Sequence, residues 1–473
     1  MSDTAAAPSA EYEREPVPEK ARLGFKSYLG QFAAEHVAGT ELMIGPLFLA
    51  AGVSAFDFFM GLLVGNFLAV LSWTFFTAPI ATRVRLTLYY HLEKVCGRKL
   101  TVLYNTVNGV MFTVQAGAMI TVSATVLGVY FKFAMPELND TLPPGFGWVV
   151  AVLLTGVVFS VVAAKGYRFV AFVANLAAPL MVVMFAVFGI ISLRKLGVTG
   201  LDNFWEIATT QIWTGGDPLP GKSKFTFWHV AFFAWFCNMV WHIGMADLSL
   251  FRFARKSWYA VASAAGMYIG HFMAWIAAST LYAVQLQADP GNTAVLPGPL
   301  AYSACGTLGL LTVVIAGWTT ANPTLYRAGL AFQALVPSSS RAKVTLFTGL
   351  AASVTAVFPI VTMKLLGFVA LWGMILMPMG AVIFADYWLL PKFGMKRFIA
   401  EHIRLPINWA AGAAWLTSIV FCVGMLCVFG EDKLFFVSLP GWFITVLVYV
   451  ALSKIMQKRA SSLKTIQPAH KRS

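Results

Sequence analysis

Apolar runs of about 20 residues, separated by short polar stretches, recur along almost the whole chain. A helix of about 20 residues crosses the roughly 30 Å hydrocarbon core of a bilayer. The pattern predicts twelve such spans, at 29–52, 56–79, 103–131, 147–164, 168–192, 226–250, 257–285, 307–330, 343–361, 364–389, 407–429 and 434–453. None of these runs shows the alternation over about ten residues that marks a barrel strand. The expected fold is therefore an all-α polytopic membrane protein with twelve transmembrane helices.

Two spans depart from the apolar pattern. The first reads Phe32-Ala33-Ala34-Glu35-His36-Val37-Ala38-Gly39-Thr40-Glu41, followed by Gly45 and Pro46. The sixth carries Asn238, Trp241, His242 and Gly244 before Asp247. Polar, glycine-interrupted segments at matching positions of two five-helix halves point to broken helices 1 and 6 at the bilayer midplane. Unwound backbone is tolerated there when it lines a cavity. For helix 1 taken alone, a re-entrant or weakly inserted segment remains the alternative. An ionised carboxylate at membrane depth costs at least ~2.5 kcal/mol on insertion scales, so Glu35 and Glu41 need a reason to be there. Either one carries a proton or neutralises a bound cation, or it pairs with His36 or a neighbouring helix.

Composition agrees with a lipid environment. Hydrophobic residues make up 59% of the 473 residues and charged residues 11%, against roughly 25% charged in soluble domains. The net charge of +14 would suggest nucleic acid in a soluble protein, but here the basic residues fall in short connections. With the N-terminus placed in the cytoplasm, 27 of the 34 lysines and arginines lie on the cytoplasmic side, a positive-inside distribution. Both termini are then expected in the cytoplasm, in a cell (inner or plasma) membrane. Residues 1–28 contain no apolar segment of signal-peptide type and are expected to form a disordered cytoplasmic tail. The expected organisation continues with a first inverted repeat (29–192, helices 1–5), an external loop (193–225) and a second repeat (226–389, helices 6–10). Peripheral helices 11 and 12 (390–453) and a basic cytoplasmic tail (454–473) complete it. Five cysteines in mostly intramembrane positions form no disulfide framework or metal-ligand spacing.

Helix 8 reads Gly317-Trp318-Thr319-Thr320-Ala321-Asn322-Pro323-Thr324-Leu325-Tyr326-Arg327-Ala328-Gly329-Leu330. This resembles the helix 8 signature of the nucleobase–cation symporter family, the cytosine/purine permease type. Three further stretches agree in order: Gly52–Phe59 leading to Gly65-Asn66, Ala246–Ser249 with Arg252–Arg255, and Ala385–Trp388. The resemblance covers roughly residues 30–460. It implies a five-plus-five inverted repeat, alternating access, and import of a nucleobase-like or related small polar solute coupled to Na⁺ or H⁺.

The resemblance also implies site residues. A monovalent cation would sit between broken helix 1 and helix 8, held by the carbonyls of Glu35, Ala38 and Ala316 and the hydroxyls of Thr319 and Thr320. The same hydroxyls can instead bond back to helix carbonyls. Substrate candidates are Gly39, Glu41, Gln115, Asn238, Trp241 and Asn322. The family stacks its heterocycle on a helix 3 tryptophan, and that position is Gln115 here. The helix 6 aromatic falls on Asn238, with Trp241 one turn later, and the polar pair of helix 8 becomes Asn322-Pro323. A smaller or non-aromatic polar solute, such as an amino acid or compatible solute, is the alternative cargo. A non-transporting membrane sensor is a further reading; such a protein would carry a soluble signalling domain, and none is expected in these 473 residues. No catalytic residues and no cofactor are expected, and the partners are a small-molecule solute and the bilayer, not nucleic acid. Nothing in the sequence sets the oligomeric state, and a monomer is compatible with it. One elementary charge crossing 100 mV supplies about 2.3 kcal/mol, enough for roughly fifty-fold accumulation.

Other signals carry little. Gly216–Ser223 matches the phosphate-loop pattern G-x-x-x-x-G-K-[ST], but it contains two prolines and falls in the predicted outer loop. Gly61 and Gly65 read as helix packing. Asn139-Asp140-Thr141 is a sequon that matters only in a eukaryotic secretory setting. Asp247 and Asp386 are expected as ion-pair partners of arginines and lysines at cytoplasmic helix ends. The seven histidines form no metal-binding cluster.

Overall fold

The computed structural model describes residues 12, 15–165, 167–336 and 338–466. Part of the expected N-tail (1–11, 13 and 14) and the end of the C-tail (467–473) lie outside the described residues. Helices dominate, and β-type pairing among the described residues is limited to two isolated bridges, Leu23–Ala254 and Ser54–Thr214.

The first expected span is two helices, α1 (Phe25–His36) and α2 (Glu41–Ala50), separated by a break at 37–40. It is followed by α3 (Ala55–Val84), which contains a π-helical turn at Trp73–Thr77. Next come α4 (Leu88–Cys96), α5 (Arg98–Phe131), α6 (Phe146–Ala164) and α7 (Tyr167–Lys195). The sixth expected span is three pieces, α8 (Phe227–Phe236), α9 (Met239–His242) and α10 (Leu248–Phe251). The chain continues with α11 (Ser257–Ala288), α12 (Pro297–Gln333), α13 (Arg341–Ala356), α14 (Leu365–Leu389), α15 (Trp409–Phe429) and α16 (Leu434–Ile466).

Eight helices among the described residues are long and apolar enough to cross a membrane. The other expected spans are broken, shorter or only partly described. Helix 8 begins ten residues earlier than the hydropathy predicts. The cause is Gly306, whose φ of 56° and ψ of −138° bend α12 and let Pro297–Cys305 form a separate first segment.

The packing repeats between the two halves. The half-helix α2 lies on α11, and the matching half-helix α8 lies on α3. Helix α5 runs along α12, α6 along α13, and α16 along both α14 and α15. Close approach of α3 and α8 is built on small residues. A methyl on Gly61 would lie 2.7 Å from Val230 Cβ, and one on Gly65 would lie 2.7 Å from Ala234 Cβ. Both glycines therefore serve packing inside one chain. Large apolar side chains such as Phe67, Leu154, Leu416 and Leu447 face outward, as a lipid-facing belt requires. The chain is a multi-pass membrane protein.

The N-terminal segment is anchored rather than loose from about residue 17 onward. Leu23 N donates to Phe253 O at 2.6 Å, and Arg255 N donates back to Leu23 O at 3.3 Å. Arg22 donates to the carbonyls of Ala254 and Arg255, and Glu19 pairs with both Arg22 and Arg85. The expected disorder to residue 28 fails there because these polar groups find backbone partners after α10.

The phosphate-loop look-alike is a loop with no strand before it, and the next helix starts at Phe227. Its neighbour Lys224 is bound to the carbonyls of Gly52, Gly215 and Gly216. All five cysteines are unpaired, and no metal-binding group of His, Cys, Asp or Glu occurs among the described residues.

Candidate functional site

Ending α1 at His36 leaves the carbonyls of its last turn, Glu35 included, without the amides four residues on, while the first amides of α2 turn back onto the break, Glu41 N donating to Ala38 O at 3.2 Å and Leu42 N to Gly39 O at 3.3 Å. Only a glycine fits at the break. A methyl on Gly39 would lie 2.8 Å from both Gly317 N of α12 and Val122 Cγ1 of α5. The break in helix 1 is therefore pressed directly against helix 8. The sixth span unwinds around Asn238 and again before Asp247, where Met245 holds a φ of 65°.

The two breaks face a cavity of about 80 Å³. Water needs roughly 10–15 Å³ on this measure, so the space suits a few waters or a small solute. Glu35, Ala38, Glu41, Gln115, Asn238, Trp241 and Thr320 line it. Gly39, Ala316, Thr319 and Asn322 are buried close by without lining it. The expected site residues thus converge on one place. The cavity shares Glu35, Asp247, Pro323 and Arg327 with a larger vestibule of about 750 Å³, also lined by Tyr89, Arg98 and Arg252.

Glu41 sits in the first turn of α2, where the helix dipole favours negative charge, and is 4% exposed. Its carboxylate accepts from Trp275 Nε1, and His271 Nε2 lies 3.8 Å away. His271 stacks on Trp275 with ring centres 4.5 Å apart, and the His36 ring is 4.8 Å from His271. His36 Nδ1 is 2.8 Å from Phe32 O. Of the two readings open for the glutamates, Glu35 takes the pairing one. Arg327 Nη2 donates to its Oε1 at 3.0 Å and its Oε2 at 3.1 Å.

Helix 8 supplies oxygen atoms. Thr319 and Thr320 both donate to Ala316 O, at 3.1 and 2.9 Å. Their hydroxyl lone pairs remain available, because a hydroxyl donates once and accepts twice. Pro323 has no amide, so the carbonyl of Thr319 loses its helical donor. Three buried amide atoms in the region have no hydrogen-bond partner: Gln115 Oε1, Asn238 Nδ2 and Asn322 Oδ1.

Asp247 is a correction. It is not an ion-pair partner at the membrane surface; it is 3% exposed, lines the cavity, and accepts from Trp73 Nε1 at 2.7 Å. The turn at 243–247 directs it inward, toward helix 2. Asp386 is structural, as expected, but its partners are Tyr449 Oη at 3.0 Å and Phe398 N at 3.2 Å. Sequence reading passed over Trp73, His271, Trp275 and the inward placement of Arg327. The indoles of Trp73, Trp241 and Trp275 line the cavity, and that of Trp275 is stacked on His271.

No protein-family model and no curated protein matches the chain. Solved structures do. Mhp1, described as a nucleobase-cation-symport-1 family transporter, in a closed conformation with bromovinylhydantoin bound, matches with a TM-score of 0.71 at 13% identity, over 94% of this chain and 96% of that one. The fold is that of Mhp1. Its inward-facing conformation matches with a TM-score of 0.73 at 12% identity, over 97% of this chain and 96% of the other. A Na⁺-coupled sialic acid symporter in a substrate-bound outward-open state matches with a TM-score of 0.64 at 14% identity, over 95% and 93%. The fold implied by the helix 8 resemblance is the fold found, and these Mhp1-like neighbours are transporters, not enzymes.

Proposed function

We propose that this chain is a secondary active transporter that moves a small polar solute by alternating access, coupled to a monovalent cation. The observation that carries the reading is the pair of helix breaks facing one buried cavity, in a fold shared with cation-coupled symporters. The cation lies between helices 1 and 8, on the carbonyls of Glu35, Ala38 and Ala316 and the hydroxyls of Thr319 and Thr320. Carbonyl and hydroxyl dipoles suit a small hard ion, and the ends freed at 37–40 and Pro323 supply such dipoles. Na⁺ is favoured over H⁺ by this all-oxygen donor set and by the Na⁺-coupled neighbour.

The solute lies in the central cavity, in contact with Glu41, Gln115, Asn238 and Trp241, with Gly39 and Asn322 shaping the wall behind it. The vestibule opens on the side that carries Arg98 and Arg252. The positive-inside rule puts that side in the cytoplasm, which makes this an inward-facing arrangement with both termini cytoplasmic in a cell membrane. A nucleobase-like ring is supported by the three indoles, and an amino acid or compatible solute by the loss of the helix 3 tryptophan.

The test is solute uptake and counterflow in proteoliposomes over a panel of nucleobases, hydantoins, amino acids and betaines, with and without a Na⁺ gradient. Gradient-driven uptake of one class is the expected result. Binding without flux for every class, in protein shown to be folded, would end the transporter reading.

A further inference from the structure

The charges and rings around the cavity say more about the solute than that it is polar, and the inference rests on the transporter reading above. The lining contains three carboxylates, Glu35, Glu41 and Asp247, and one guanidinium, Arg327. Arg327 spends its Nη2 on both oxygens of Glu35. Glu41 has neutral partners instead. Trp275 donates an indole N–H to it, and His271 lies beside it. The other titratable groups facing this corner are Cys237, whose Sγ is 3.7 Å from His271 Nδ1, and His36, against the far side of His271. No lysine or arginine among the described residues forms an ion pair with Glu41.

A second, independent feature points to the same ligand. Gln115, 8% exposed, lines the cavity, and its buried Oε1 acceptor has no donor. A buried acceptor left without a donor is costly unless something else supplies the donor. Five aromatic side chains, Phe32, Trp73, Phe233, Trp241 and Trp275, share the rest of the wall with aliphatic and hydroxyl groups such as Ile44, Met119 and Thr324. Aromatic faces attract cations and do little for anions. A neutral solute gains nothing from the excess of carboxylates, and an anion is repelled by it.

We propose that the transported solute is a small organic cation, with its charge on Glu41 and an N–H donor on Gln115. The ring-bearing members of this class combine both features on one planar body, which fits a cavity bounded by indoles.

Pairs of probes with the same shape and different charge test this. Guanidinium is compared with urea, and 1-methylnicotinamide with nicotinamide, by calorimetry on the purified full-length chain in Na⁺-free buffer. The cationic member of each pair is expected to bind more tightly by about tenfold or more, the value of a hydrogen bond to a charged group. Glu41→Gln is expected to remove that preference. Glu41→Asp, which keeps the charge, is expected to retain part of it and covers the case in which Glu41→Gln does not fold. Glu431→Gln, in an exposed 3-10 turn, serves as the control.

Equal or tighter binding of the neutral members would overturn the proposal, as would a cation preference that survives Glu41→Gln. So would a response to Na⁺ alone that Glu41→Gln abolishes, since Glu41 would then be completed by the coupling ion. Counterflow separates the two ideas: flux of neutral solutes only leaves a transporter without a cation site. Cation binding without flux of any solute leaves the site and removes the transport.

Discussion

The Glu35–Arg327 pair gives the sharpest quantitative test of the geometry, because it ties the first half-helix to helix 8 at the throat between cavity and vestibule. Its side chains are 19% and 24% exposed, between the surface and buried limits. At the observed 3.0 Å, Coulomb's law gives about 5.5 kcal/mol at an effective dielectric of ~20 and about 1.4 kcal/mol in water. Desolvation and the ordering of two long side chains offset much of this, leaving a coupling of about 2 kcal/mol. Arg327→Gln alone should cost more than that coupling, because Glu35 keeps its charge and loses the guanidinium. Glu35→Gln with Arg327→Gln should restore a good part of the loss. A double-mutant cycle from reversible unfolding in mixed micelles measures the coupling. Cys237 provides an independent readout, since it lies in the cavity wall beyond the throat. If the pair holds the throat shut by ~2 kcal/mol, its alkylation by a thiol reagent should accelerate about 30-fold in Arg327→Gln. Mass spectrometry resolves it from the other four cysteines. Additive single mutants together with an unchanged Cys237 rate would show that the pair closes nothing.

Gly39→Ala places a methyl 2.8 Å from Gly317 N. Overpacking of this kind costs about 1–3 kcal/mol, and here it should weaken Na⁺-dependent thermal stabilisation more than it lowers the ion-free melting temperature. Thr320→Val keeps the shape and removes a cavity-lining hydroxyl; thermal shifts with and without Na⁺ should then converge, and an undiminished Na⁺ response would displace the ion from helix 8. Trp275→Phe retains the ring but removes the donor to Glu41, and should lower stability by about 1–3 kcal/mol in denaturant titrations. Asn408→Ala removes a cap that accepts from Ala410 N and Ala411 N while donating to Val95 O; a loss of about 1–2 kcal/mol with solute binding intact is expected.

The breaks were legible because they contradict their surroundings. A glycine between two glutamates in an apolar run has few structural uses other than an interrupted span, and the break falls between Glu35 and Glu41 as that pattern requires. The convergence of Gln115, Asn238, Trp241 and Thr320 followed from the resemblance in helix 8, which fixes how the helices face one another. What hydropathy does not carry is direction. Asp247 stands at the end of a span beside Arg252, so a surface ion pair is its simplest reading. A turn containing one residue at positive φ points it instead at Trp73, 174 positions away in sequence. Arg327 likewise reads as a basic residue at the end of helix 8, contributing to the inside charge, whereas it reaches back to Glu35. Gly306 displaced the start of helix 8 for a related reason: a single backbone angle redirects the chain without altering the apolar pattern.

Carboxylates at the two breaks share one device. Glu41 and Asp247 each accept from a tryptophan indole, Trp275 and Trp73, contributed by the helix that lies beside the break. An indole N–H meets part of a carboxylate's hydrogen-bonding demand and leaves its charge in place. A lysine or arginine in the same position would cancel the charge and convert the site into a static buried ion pair. On the proposal above, neutral donors leave these carboxylates free to meet a positively charged solute. Glu35 differs: it is given a guanidinium, Arg327, in place of an indole.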